Sequence, residues 1–528
     1  MKKISGKLVD VFRMGIYPAE ITFDSKIRSI KRTKTADNVY ITPGFIDAHI
    51  HVESSMLIPS EFARLAVRHG TVGVVSDPHE IANVLGIKGI EFMIRNSKKV
   101  PLKFYFGASS CVPATPFETS GAHIKPDGIE KLLKRKEILY LSEVMNYPGV
   151  INRDPEVMEK IAIAKRYRKR IDGHAPGLMG KDLDKYLSAG IETDHECYLL
   201  EEAREKQRKG MKIIVREGSA AKNLSVLHPI MASGDCMLCS DDRHPDDLLE
   251  GHVDSILKKC VSLGVDPLIA IKSATRNAVE HYGLDIGLLR EEDPADFLIV
   301  KDLKSFKVIK TWIMGNEIYD GHSVKFHSVF EKPVNKMKTK LKKPEDFRAP
   351  DHAKLVIGAI EGSLITDKLN APKTKVPDVK KDVLKITVVN RYTNAKPAVG
   401  FIKNFGMKKG AFGASVMHDS HNICVIGADE ESICKVVNAI IEADGGLAVH
   451  DGKRTDVLRL HYAGLMSDED GVHVTKKYET LTKMAKRMGC KLRAPFMTLS
   501  FMALLVIPHL KMSDKGLFDA DKFEFVEK

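Results

Sequence analysis

The chain has 528 residues, 43% hydrophobic and 29% charged; that is an ordinary soluble balance, but too much chain for one core, so two or three domains are expected. No apolar run reaches the roughly 20 residues of a membrane-spanning helix, and the longest, 501–507, runs into Pro508-His509 and reads as buried core. The net charge of +12 raises nucleic acid as a partner, but the lysines gather in 332–343 and 373–385 without the interleaved aromatics of single-strand binders, so none is expected.

The opening Met1-Lys2-Lys3-Ile4-Ser5-Gly6 lacks the apolar centre of a signal peptide. The eight cysteines are scattered, mostly among apolar neighbours, as reduced and buried thiols are. A cytoplasmic protein is expected.

Residues 1–42 show short alternating strands, such as 19–23. From 43 to 284 the pattern becomes strand, loop, helix, repeated, which predicts parallel strands with helical crossovers. Eight strand candidates begin with the stretch 44–53, read as a buried strand ending in two histidines, and continue at 71–76, 102–106, 138–142, 170–173, 191–194, 211–215 and 236–240. Between them, 59–69 sets Phe62, Leu65 and Ala66 on one helical face. Asp154-Pro155-Glu156 reads as an N-cap, a first-turn proline and an acidic first turn. Residues 196–209 run acidic to basic and stop at Gly210, matching the helix macrodipole and a glycine cap.

Eight such units predict an α/β fold, a (β/α)8 barrel. An open doubly wound sheet is the rival, but no G-x-G-x-x-G follows the first strand. Residues 296–300, 308–314 and 317–319 return to strands, with a turn at Gly315-Asn316. They are expected to pair with 1–42, so that 1–42 plus 285–330 form a small β-sandwich domain flanking the barrel of 43–284. Lysine and proline dominate 331–350, read as a linker, and 351–528 is expected to be a C-terminal α+β domain.

In a parallel barrel, reactive residues sit at the C-terminal ends of strands. Those ends give His49 and His51, then Glu143, His174, His195 and Asp241. Singly, each has a plainer explanation: two histidines on a polar strand face, a solvated glutamate, a loop histidine, a helix start, a turn aspartate. Together, four imidazoles and two carboxylates suit two divalent ions, with Glu143 placed to bridge them.

Several motifs carry a resemblance. Pro43-Gly44-Phe45-Ile46-Asp47-Ala48-His49-Ile50-His51, Ser142-Glu143-Val144-Met145-Asn146 and Asp172-Gly173-His174 resemble the amidohydrolase superfamily and, more narrowly, its adenine deaminases. So do Arg216-Glu217-Gly218-Ser219, Ser240-Asp241-Asp242-Arg243-His244, the stretch 413–422 and Pro495-Phe496-Met497. The resemblance spans nearly the whole chain. It implies hydrolytic deamination of adenine to hypoxanthine and ammonia, in purine salvage, at two divalent ions, manganese first with iron or zinc as alternatives. It also implies a homodimer. Glutamate stands at position 143 where many amidohydrolases carry a carboxylated lysine, as in adenine deaminases. Gly177 stands where adenosine deaminases place the glutamate of H-x-x-E, which argues against the adenosine enzyme and leaves the general acid open.

The expected nucleophile is a metal-activated hydroxide attacking C6 of the purine, with Asp241 as general base. Glu196, His79, Glu80 and Glu217 are unranked candidates to protonate the ring nitrogen and the amine. Asp242 is expected to accept a purine N–H, and Asp77, Glu80 and Ser109, at the second and third strand ends, to line the substrate. His418-Asp419-Ser420-His421-Asn422 reads first as a hydrogen-bonded turn, otherwise as a lid or a second metal site.

Three rivals are kept. A cytidine-type zinc deaminase finds H-x-E in His51-Val52-Glu53, but Cys236 and Cys239 lack the preceding proline. A cyclic amidase on the same fold, of the dihydroorotase or hydantoinase kind, shares the ligands. A basic nucleic-acid-binding protein would hold no tight metal.

Overall fold

The computed structural model describes the whole chain except residues 350–353, 373–375 and 527–528. The expected end of the linker at Pro350, the start of the third domain at Asp351 and the start of the second lysine run at Lys373 lie outside the described residues.

Eight parallel strands build the barrel. Phe45–Ile50, Thr71–Ser76, Lys103–Ala108, Ile138–Val144 and Arg170–Gly173 form one parallel sheet; Thr193–Asp194, Lys212–Arg216 and Met237–Cys239 form another. Backbone bonds join them on both sides. Glu192 N–H donates to the Ile171 carbonyl at 2.9 Å, and Asp241 N–H donates to the His49 carbonyl at 3.0 Å. Buried apolar runs such as Thr71–Ser76 are what strands enclosed on both faces require.

The crossover helices start and stop as local chemistry dictates. Asp154 accepts from Val157 N–H ahead of Pro155–Arg166, and Gly210 adopts φ +92° after Leu200–Arg208. This last helix begins four residues later than its charge pattern predicts. Asp194, fully buried, captures the N–H of Glu196 at 3.3 Å and of Ala175 at 3.0 Å, which holds 195–199 across the barrel mouth instead.

Strands from both flanks of the barrel share one seven-stranded sheet that curls over its own core. Phe23 meets Phe297 edge-on with ring centroids 4.9 Å apart although two strands separate theirs in the sheet order, and Phe297 stacks on Trp312. The lysine-rich stretch is not a free tether. Glu331 accepts from Arg95, Asn96 and Lys99, and Lys338 N–H donates to the Arg391 carbonyl at 2.8 Å.

The C-terminal part centres on an eight-stranded mixed sheet, with helix Glu430–Glu442 packing Ile433, Val436, Val437 and Ile440 into a core beside it. It docks on the barrel directly. Ser467 N–H donates to Met56 carbonyl at 2.8 Å, Ile58 N–H to Ser467 carbonyl at 3.0 Å, and Thr475 Oγ1 to Pro245 carbonyl at 3.0 Å.

Candidate active site

The expected ligands converge at the C-terminal mouth of the barrel. His49 lies in the first strand; His51 follows it, its N–H donating to the Asp241 carbonyl at 3.2 Å. Asp241 keeps this place with φ +56°, a left-handed conformation that aspartate tolerates better than most residues. His174 and His195 directly follow the fifth and sixth strands, and Glu143 sits near the end of the fourth.

Glu143 stands between two groups of donors. Its Oε1 is 3.2 Å from His51 Nε2 and 3.9 Å from His49 Nε2, and those nitrogens are 3.1 and 3.5 Å from Asp241 Oδ1. Its Oε2 is 2.8 Å from His174 Nδ1 and 3.3 Å from His195 Nε2. Donors bound to one divalent ion at about 2.0–2.2 Å stand roughly 2.8–3.6 Å apart, so each of these spacings except the longer one between His49 and Glu143 suits a coordination shell. His49 is fully buried, and neither of its ring nitrogens has a hydrogen-bond partner among the described residues. Such an orphan is costly unless a lone pair is otherwise engaged. His51 Nδ1 donates to the Asp77 carbonyl at 3.0 Å, which leaves the Nε2 lone pair available to a metal ion. The donor set fits two divalent metal ions.

The electrostatics agree. Burial alone would push the Glu143 carboxyl up, but hydrogen bonds from His174, His195, His51 and His79 hold it well below the usual range. For Asp241, burial is likewise overcome, by the Arg216 guanidinium and by His49 and His51.

Other expected residues divide. Asp242 lines the pocket and accepts from Ser54 Oγ at 2.5 Å. His79 lines it too, with Nδ1 3.1 Å from Asp77 Oδ2 and 3.2 Å from Glu143 Oε1. Glu80 also lines it, bound by His418 and His421. Glu196 lines it but is locked against Arg216 through both oxygens, and the guanidinium, after burial, keeps its carboxyl low. An ionised, ion-paired carboxylate is a poor acid, which removes Glu196 from the proton-donor candidates. Three expectations need correction. Glu217 pairs with Lys259 at 2.7 Å and is no part of the pocket wall. Ser109 Oγ donates to Asp77 Oδ1 at 2.9 Å, so Ser109 and Asp77 form a layer behind His79 rather than a substrate surface.

Sequence reasoning missed Arg216, which ends the seventh strand one residue before the chosen Glu217 and donates to Asp241 Oδ2 at 2.6 Å. That strand end was the signal available. Residues 501–507 join the buried core, as expected, and Phe501, Leu504 and Ile507, with Leu364, also cap the candidate metal pocket. The cavity beneath holds about 30 Å³, room for a water or two. Beyond it opens an outer chamber of about 490 Å³ lined by Tyr147, Tyr198 and Phe523, which shares Met145, His174, Arg216, Leu364 and Ile507 as a partition.

The profile of the amidohydrolase family matches residues 40–318, and that of the adenine deaminase C-terminal domain matches 363–524. An adenine deaminase of Sulfurovum sp. (strain NBC37-1) is 53% identical over 99% of both chains. One of Salinibacter ruber is 49% identical over 99% of this chain and 98% of its own, and one of Methanosarcina mazei 48% over 100% and 99%. With both profiles matched and such identity sustained from end to end, the chain belongs to the adenine deaminase family of the amidohydrolases.

Proposed function

We propose that this protein hydrolyses adenine to hypoxanthine and ammonia, with His49, His51, Glu143, His174, His195 and Asp241 holding two divalent ions, manganese in the native enzyme. The observation that carries this is Glu143, whose two oxygens each face a separate group of donors. When bound, the ions acidify water enough to make hydroxide available near neutral pH.

The chain's own residues do the rest. Asp241, kept ionised by Arg216, accepts the proton of the attacking water. Asp242, fixed by Ser54, accepts a purine N–H. His79 is held between Asp77 and Glu143, and so orients the Glu143 carboxylate. The capping side chains Phe501, Leu504 and Ile507 exclude bulk water, which strengthens every polar contact inside. A cytoplasmic homodimer serving purine salvage completes the proposal.

The cyclic-amidase alternative uses the same ligands, so the test compares substrates. Metal analysis and ammonia release should give two ions per chain and turnover of adenine, with adenosine, hydantoin and dihydroorotate inert. His49→Ala and Glu143→Ala should lose both metal and turnover. Full activity of either variant after chelation would refute the assignment.

A further inference from the structure

Every polar group at the pocket considered so far comes from the barrel, yet one segment of the C-terminal sheet domain also enters it. Met417 N–H donates to His421 Nδ1 at 3.0 Å, so His421 presents Nε2–H, which donates to Glu80 Oε2. His418 Nδ1 lies 2.5 Å from Glu80 Oε1. Glu80 thus gives one oxygen to each imidazole, and it is the shared anchor of both. Burial would raise its carboxyl, but His418, His421 and His79 keep it well below the usual range, so both contacts are charge-assisted.

His418 is left with one nitrogen free. Its ring stacks on Phe501 with centroids 4.5 Å apart and planes 11° from parallel, and it is buried to 3% exposure. Its Nε2 stands 4.0 Å from Asp242 Oδ1, across the metal-ligand pocket that both residues line. An imidazole tied by Nδ1–H to a carboxylate, with Nε2 aimed at a closed pocket, is built to move a proton.

We propose that His418, carried by the C-terminal domain and oriented by Glu80, is the catalytic acid that protonates the departing amino group. This rests on the deamination reading. Attack of water at C6 sends one water proton to Asp241 and on to the ring nitrogen that receives the C6=N electron pair. The C6–N bond to the amino group then breaks with its electron pair on nitrogen, and Nε2–H supplies the proton that makes it ammonia. The oxygen on C6 loses its proton as the carbonyl forms, and that proton restores Nε2. The groups facing His418 are the carboxylates of Glu80, Asp242 and Asp419 and the imidazoles of His421 and His244, which burial keeps neutral. Burial alone would lower its pKa, but Glu80 and Asp242 outweigh burial and push it up to about 9, which keeps the acid form at neutral pH.

His418→Asn retains an N–H for Glu80 and deletes Nε2. His421→Asn loosens the same glutamate without touching the pocket nitrogen. With adenine, His418→Asn should lose about 10²–10⁴ in kcat at unchanged metal content, His421→Asn far less. 6-Chloropurine, whose chloride leaves without a proton, should turn over nearly as in wild type, and imidazole should rescue His418→Ala on adenine. A His418→Asn enzyme within threefold of wild type on adenine would overturn the proposal, as would equal losses on both substrates without rescue. Failure of the deamination reading is distinct: wild type itself would release no ammonia.

Discussion

Lys206 offers a sharp test of how the loops of His174 and His195 are held. Its side chain is wholly buried, and Nζ donates to Asp194 Oδ2 at 2.8 Å, Glu202 Oε1 at 2.6 Å and the Ala175 carbonyl at 2.6 Å. Asp194 and Ala175 adjoin His195 and His174, so one ammonium ties both histidine loops together. Burial would raise the Asp194 carboxyl; Lys206 reverses that and keeps it ionised. Lys206→Met fills the space but strands two carboxylates, each with no exposed side-chain surface. Removing one partner from a buried ion pair costs about 3–5 kcal/mol, a large share of a stability of about 5–15 kcal/mol. The assay is denaturant unfolding with hydrogen exchange at the Ala175 and Glu196 amides, both donors to Asp194. Exchange there should quicken and metal affinity should fall. A loss no larger than the roughly 0.5 kcal/mol of a surface substitution, with exchange unchanged, would refute the reasoning.

Two further outcomes are expected. Arg216→Met removes the guanidinium shared by Asp241 and Glu196, and partners behind metal ligands are worth roughly 10–100-fold in affinity or rate; kcat and bound metal per chain report it, and unaltered values for both count against the role. Lys511 is fully buried, bonded among the described residues to the Leu364 and Phe501 carbonyls, and burial pushes its ammonium down to about 7. The unfolded chain therefore binds the extra proton between about pH 7 and 10.5, and wild-type stability should rise with pH relative to Lys511→Met by up to about 1.4 kcal/mol per unit. Parallel stability curves for the two proteins across that window would contradict it.

The barrel and the convergence of its candidate ligands are legible in the sequence because both are periodic: buried strands are continuous apolar runs, and five of them carry a candidate ligand at the same end. What escaped depends on direction rather than position. Lys206 sits in a helix whose charge pattern gives no sign of which way a lysine points, and it points at Asp194. Ser109 and Glu217 occupy strand ends but turn to Asp77 and Lys259. Hydropathy assigns 501–507 to an interior without saying whether that interior is a core or a pocket wall. His418 lies 338 residues from Glu80, a distance no local pattern spans.

The seam between barrel and C-terminal sheet has a consequence for substitution. Leu57 and Ser467 form a parallel bridge beside the first metal-ligand turn, and Gly471 packs so tightly on Leu65 that an added Cβ would sit 2.8 Å from it. Neither half presents a finished surface there, so a substitution on one side of this joint is expected to call for a matching change on the other.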